Sequence, residues 1–355
     1  MSKFWSEAIK TLKPYVPGEQ PKQGNIVKLN TNENPYPPSP KVVEVLSHFP
    51  TERLRLYSDP DCSQLKQTLA DHFHVTTDHV FVGNGSDEVL AHTFMAFFRQ
   101  PEPLLLPTMT YSFYDVYCNL YDIETKHIPL TESFEIDLQQ YRQPNGGIIF
   151  ANPNAPTGIA LPLVEIEALL QDNTETVVVV DEAYVDFGAE SAVTLVDKYP
   201  NLLVVQTLSK SRSLAGMRVG YAIGSKELID GLERVKNSFN SYPLDMLAIA
   251  STSAAIEDVN YFEQTVEKII TDRDWTTEQL NQLGFNVLPS STNFVFASHE
   301  SLSGAELMQH LRAQNILVRH FTKPGIENFL RITIGTREEM QAMVAALKTH
   351  PDLAN

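Results

Sequence analysis

Val177-Val178-Val179-Val180-Asp181-Glu182-Ala183-Tyr184 is the stretch that decides the fold. Four β-branched residues in succession, with no polar alternation, read as a strand buried on both faces, the signature of a parallel sheet covered by helices. Similar apolar runs recur at 104–106, 148–150, 202–205 and 219–223, with helical stretches between most of them. That alternation predicts an α/β fold around a mostly parallel sheet. Ligands of such sheets collect at the carboxyl ends of the strands. Asp181 stands at that end, and Tyr184 follows three residues later.

A second run, Thr207-Leu208-Ser209-Lys210-Ser211-Arg212-Ser213-Leu214-Ala215-Gly216-Met217-Arg218, also follows a strand end. Lysine is ordinarily a solvated surface residue. Here its neighbours suit an amine that condenses with an aldehyde cofactor: the hydroxyls of Thr207 and Ser209, and the fixed cation of Arg218, favour a phosphate beside it. Asp181 would then pair with a protonated pyridine nitrogen and keep the ring able to accept electrons. Tyr184 is placed to hydrogen-bond the ring's phenolic oxygen. Asn154, in Asn152-Pro153-Asn154-Ala155-Pro156-Thr157-Gly158 after the 148–150 run, is expected to donate an N–H to the same oxygen. The 80–82 strand, the 83–88 glycine turn and the helix after it put the amides of Ser86 and Asp87 at a helix start, where a phosphate binds well.

Beyond Pro243 the texture changes to a long helical stretch at 258–283 and short strands at 285–288, 292–296, 316–318 and 329–334, with a helix at 304–314. Short strands between helices predict a compact second unit of α+β type. Arg331, between Leu330 and Ile332, is an arginine with apolar flanks and so calls for an anionic partner. Arg319, after Leu317-Val318, is a second; two guanidiniums suit a phosphate dianion better than one carboxylate needs.

In this order the motifs resemble the fold type I, pyridoxal 5'-phosphate-dependent aminotransferases. Within that superfamily they are most similar to the histidinol-phosphate aminotransferase family, through Leu29-Asn30-Thr31-Asn32-Glu33-Asn34-Pro35, Tyr57-Ser58-Asp59-Pro60, Gly83-Asn84-Gly85-Ser86-Asp87-Glu88 and Leu330-Arg331-Ile332-Thr333-Ile334-Gly335. The resemblance implies a seven-stranded sheet with one antiparallel strand, a large cofactor-binding domain at 30–253, and a smaller α+β domain from 1–29 and 254–355 with an N-terminal arm around Tyr15. It implies pyridoxal 5'-phosphate as cofactor, with Lys210, Asp181 and Tyr184 as catalytic residues and Tyr111 stacked over the ring. It further implies a homodimer in which Tyr57 reaches the neighbouring subunit's cofactor phosphate, and a substrate pocket lined by Tyr15, Asn32, Arg319 and Arg331. The expected reaction interconverts L-histidinol phosphate and 2-oxoglutarate with imidazole-acetol phosphate and glutamate, in histidine biosynthesis. Aromatic amino-acid aminotransferases and threonine-phosphate decarboxylases share much of the pattern, so the substrate stays open among the three. Ser211-Arg212-Ser213 departs from the phenylalanine or alanine frequent after the lysine.

Bulk properties narrow the classes further. At 355 residues, 43% of them hydrophobic, the chain builds a sizeable core, and its formal charge of −17 repels nucleic acid and anionic membranes. The same fold serves as the sensor part of some transcription regulators, but those carry a DNA-binding segment ahead of it; the short stretch before Leu29 and the negative charge oppose that reading. An anionic substrate must be drawn by local arginines against the overall field. Cys62 and Cys118 give no disulfide framework and are expected to be reduced thiols. With no secretion signal and no apolar run of membrane-spanning length, the expected location is the cytoplasm. The histidines lack spacing of the His-Glu-x-x-His kind, so no catalytic metal is expected.

Overall fold

Alternate residues of the valine run enter opposite cores. Val178 and Val180 pack with Ile148, Phe150, Leu202 and Val204 on one face of the sheet, while Val179 packs with Ile149, Leu203 and Val205 on the other. Both faces are therefore covered, as the absence of polar alternation requires, and each such side chain contributes roughly 1.5–3 kcal/mol of burial. The computed structural model describes residues 2–21 and 25–353. Its strands in chain order are β1 (Val27–Leu29), β2 (Val80–Asn84), β3 (Leu104–Pro107), β4 (Thr125–Ile128), β5 (Ile148–Ala151), β6 (Val178–Asp181), β7 (Leu202–Thr207), β8 (Val219–Gly224), β9 (Phe285–Val287), β10 (Phe294–His299), β11 (Ile316–His320) and β12 (Phe329–Thr333).

Seven strands form the main sheet in the order β2-β8-β7-β6-β5-β3-β4. β8 alone is reversed, running antiparallel to both β7 and β2, so the α/β architecture and its single antiparallel strand agree with the sequence reading. Parallel register sets Asp181 opposite Ala151 of β5 and Val205 of β7, which gathers the three strand ends at one edge. The edge strand β4 escaped the sequence reading because Lys126 and His127 are exposed and leave no apolar run. The 83–88 turn is shorter than predicted: β2 continues to Asn84 and the next helix, Gly85–Phe97, starts at once, with Gly85 at φ +75°.

A second sheet, ordered β1-β11-β12-β10-β9, packs under the helices Val259–Gln282 and Arg337–Lys348. β1 joins it from the far end of the chain, parallel to β11, with Val27 opposite Ile316. Arg273 ties the two layers together: one guanidinium nitrogen donates to the carbonyls of Phe187, at 2.8 Å, and Thr292, at 3.1 Å. Asn293 does the same with its amide on the Asn32 carbonyl, at 3.0 Å.

Gly220 is a point of close backbone approach in the frame around the strand ends. It faces Thr207 across β7 and Gly83 across β2, and a Cβ there would overlap the backbone of Gly85 and Ser86. Nothing lies within 4 Å of a Cβ at Gly216. Gly220→Ala is therefore expected to destabilise by about 1–3 kcal/mol and lower Tm, while Gly216→Ala stays within about 0.5 kcal/mol. Thermal unfolding of the two variants checks this; equal Tm values would contradict the packing described.

Candidate active site

Asp181 is buried at the end of β6, and its carboxylate makes one strong side-chain contact, accepting from the Tyr114 hydroxyl at 2.7 Å. The other oxygen, Oδ1, has no partner. Burial pushes the carboxyl from 3.8 up to about 6, opposed by the Tyr114 hydroxyl and the Ala183 N–H. An unpartnered buried carboxylate oxygen at a strand end calls for a cationic N–H ligand, and a protonated pyridine nitrogen has that character.

Lys210 lies just beyond β7. Its Nζ is 3.5 Å from the Thr31 carbonyl and 5.8 Å from the centre of the Tyr184 ring. Among the described residues no carboxylate pairs with it, so the amine is not tied up in a salt bridge. Its backbone is fixed by the segment that follows β1: the Asn34 amide donates to the carbonyls of Lys210, at 3.2 Å, and Ser211, at 3.0 Å. The Ser211 hydroxyl bonds Asp186. Tyr184 is itself held by an N–H from Asn32 at 2.8 Å, and Asn32 in turn exchanges bonds with Thr333.

Anion-binding groups converge beside the lysine. The first-turn amides of the Gly85–Phe97 helix, including those of Ser86 and Asp87, face the end of β8 across Gly220. Gly220 is in register with Thr207, whose hydroxyl bonds that of Ser209 at 3.0 Å. Arg218, at φ +54°, reaches Asp87 at 3.0 Å, and the Tyr111 hydroxyl donates to the other oxygen of Asp87, also at 3.0 Å. The Asp87 side chain thus links the ring of Tyr111 to the guanidinium of Arg218. Helix amides, two hydroxyls and an arginine form a donor set suited to a phosphate, so the residues present fit pyridoxal 5'-phosphate at both its nitrogen and its phosphate.

Next to this set opens a cleft of about 350 Å³ whose walls include Tyr15, Tyr111, Asp115, Arg319, Lys323 and Arg331. Arg319 and Arg331 lie directly opposite each other on β11 and β12. Like charges in that register repel, and neither has a carboxylate within 4.0 Å among the described residues. Arg331 donates to the Asn30 carbonyl at 3.2 Å, sits over the rings of Phe294 and Phe321, and keeps its Nε without a partner. Burial first, and the charge of Arg319 second, push its pKa down. The arrangement is incomplete without an anion.

Two residues, Asn154 and Asn32, stand apart from their expected places. Asn154 does not share an acceptor with Tyr184. Its amide N–H groups are taken by the Met109 carbonyl, at 2.9 Å, and by the hydroxyl of Thr157, at 3.1 Å, which leaves its carbonyl oxygen unpartnered. Asn32, expected on the pocket wall, is buried beneath Tyr184. Arg212 faces away from the lysine: it lies 3.6 Å over the Phe262 ring and donates to the Ala255 carbonyl at 2.8 Å. Tyr57 is 82% exposed and stacks on Tyr242, while Tyr15 packs against Phe113 at the cleft. Sequence reasoning missed Tyr114, Asn34 and Lys323. Only Asn34 carried a signal, since it belongs to the 29–35 motif.

Comparison with known proteins agrees with this geometry. The family described as aminotransferase class I and II matches residues 24–347. Histidinol-phosphate aminotransferase 1 of Hydrogenovibrio crunogenus is 60% identical over 347 residues, 98% of each chain. The histidinol-phosphate aminotransferase of Acinetobacter baumannii is 59% identical, covering 98% of this chain and 97% of its own. Among solved structures, histidinol-phosphate aminotransferase of Sinorhizobium meliloti, in complex with pyridoxal-5'-phosphate, superposes with a TM-score of 0.87 at 23% identity, covering 99% of this chain and 98% of its own. At that identity it speaks for the fold.

The raised pKa of Asp181 gives a stability prediction. The folded chain holds this proton more tightly than the unfolded one, so the contribution favours folding below about pH 4 and is lost as pH rises through 6. In cofactor-free protein, Asp181→Asn is expected to be more stable than wild type by on the order of 2 kcal/mol at pH 8 and to show no gain at pH 4. Urea unfolding at the two pH values checks this; an equal gain at both would contradict the buried charge.

Proposed function

The chain belongs to the class I and II aminotransferases, and from that premise we propose that it interconverts L-histidinol phosphate and 2-oxoglutarate with imidazole-acetol phosphate and glutamate, the transamination of histidine biosynthesis. The observation that carries the substrate is the Arg319 and Arg331 pair, opposed across two strands with no acidic partner among the described residues. A phosphate monoester brings up to two charges and three acceptor oxygens, enough for both guanidiniums.

When bound, pyridoxal 5'-phosphate supplies an aldehyde for the amino group and a ring that accepts electrons. Asp181, its carboxylate fixed by Tyr114, would keep the ring nitrogen protonated. Lys210 Nζ would hold the aldehyde until the substrate's amine takes its place there, and the amine so freed would move the proton at the substrate α-carbon. Tyr184, braced by Asn32, would meet the ring's phenolic oxygen. Tyr111 would cover the ring, and Ser86, Asp87, Thr207, Ser209 and Arg218 would hold the phosphate. Arg319, Arg331 and Tyr15 orient the substrate's anionic end, with Asn32 acting from beneath.

We place the large cofactor-binding domain at 30–253 and the smaller one at 1–29 and 254–355. The enzyme is a homodimer in which Tyr57 completes the partner's site; the exposure of Tyr57 beside exposed Leu54, Leu56 and Phe239 supports this. It works in the cytoplasm, in keeping with two unpaired, buried cysteines. Among the described residues no helix is long and apolar enough to cross a membrane.

Steady-state rates with histidinol phosphate, phenylalanine and threonine phosphate, each against 2-oxoglutarate, test the assignment. Histidinol phosphate is expected to have the highest kcat/KM, by at least about tenfold. Preference for phenylalanine, or carbon dioxide released from threonine phosphate, would overturn it.

A further inference from the structure

Lys323 shares the walls of the substrate cleft with Arg319 and Arg331 but belongs to neither strand: it sits on the connection between β11 and β12. Its ammonium donates to the backbone carbonyl of Thr108, just beyond β3. The contact therefore crosses the cleft from the five-stranded layer to the seven-stranded one. Among the described residues no carboxylate lies within ion-pair distance of it, and the one carboxylate on the cleft wall, Asp115, accepts instead from the His127 ring at 2.9 Å. A neutral carbonyl is a weak partner for an ammonium compared with a phosphate dianion.

The backbone beneath Lys323 is fixed. Ile326 is buried in a small cluster with Leu288, Phe296 and Phe329. His320 bonds the Glu327 carbonyl at 2.7 Å, and a Cβ at Gly325, which lies at φ +88°, would come within 3.0 Å of Met109. A side chain that is exposed, held only at its tip by a carbonyl, and carried on a rigid loop can turn onto a ligand at little cost in order.

We infer that Lys323 is a specificity-determining residue, the third cation of the substrate's phosphate site, leaving Thr108 for the phosphate when the phosphorylated substrate binds. The inference rests on the phosphate reading of the arginine pair. Both amino donors of the reaction enter one cleft, and they distribute charge differently: each of glutamate's two carboxylates sits on its own carbon and carries one charge, which one guanidinium satisfies, whereas the phosphate ester concentrates up to two charges on a single group. A third cation weights the cleft toward the ester without being required by glutamate.

The test compares holoenzyme with Lys323→Met, which keeps the stem and removes the charge, and with Lys323→Arg. Rates are measured for histidinol phosphate, for unphosphorylated histidinol and for glutamate in its half-reaction. In Lys323→Met, kcat/KM for histidinol phosphate is expected to fall roughly 10- to 100-fold, mainly through KM, with the other two substrates within about twofold and Lys323→Arg restoring most of the loss. Equal losses for all three substrates would make the Thr108 contact a structural tie and overturn the inference. Wild-type preference for the phosphorylated substrate that survives unchanged in Lys323→Met overturns it alone. A wild type indifferent to the phosphate overturns the underlying reading and this assignment together.

Discussion

A carboxylate buried at the end of a central parallel strand is the constraint on which the rest of this structure depends. Asp181 has apolar strands on both sides and water on neither, so its charge must be met by hydrogen bonds and by a ligand. Tyr114 meets one oxygen, and the other has no partner in the chain. Around that point the fold sets the remaining chemistry by register. β7 delivers Lys210 one step beyond the sheet, β8 returns antiparallel to bring Arg218 alongside, and Gly220 lets the helix of Ser86 and Asp87 close on both.

A second constraint operates across the cleft. The chain carries a charge of −17, yet the paired strands β11 and β12 place two arginines face to face. The overall field disfavours an anion; the local repulsion between Arg319 and Arg331 favours one strongly, because a bound anion relieves it. Short range and low exposure let the local term win. Arg331 is the more committed of the two, since its Nε is buried and has no partner in the chain.

What the sequence made legible were groups carried by contiguous runs. The valines announced a strand covered on both faces, Lys210 and Asp181 stood out because each follows an apolar run that ends at one edge of the sheet, and Arg218 because it directly precedes another. What stayed hidden were pairings between distant segments. Tyr114 reaches Asp181 across 67 positions and Asn32 reaches Tyr184 across 152, and no local pattern encodes either. Asn154 was misread in detail for a local reason: Thr157 and the Met109 carbonyl compete for its N–H groups. Arg212, legible only as an unplaced cation, is used in packing against Phe262. Strand β4 was lost because an exposed edge need not be apolar.

The central claim is that Lys210 is the amine that holds the cofactor's aldehyde. Protein loaded with pyridoxal 5'-phosphate, reduced with borohydride and digested for peptide mass mapping, measures this directly. A single covalent label is expected, on the peptide carrying Lys210. A label on any other lysine, or none at all, would contradict it.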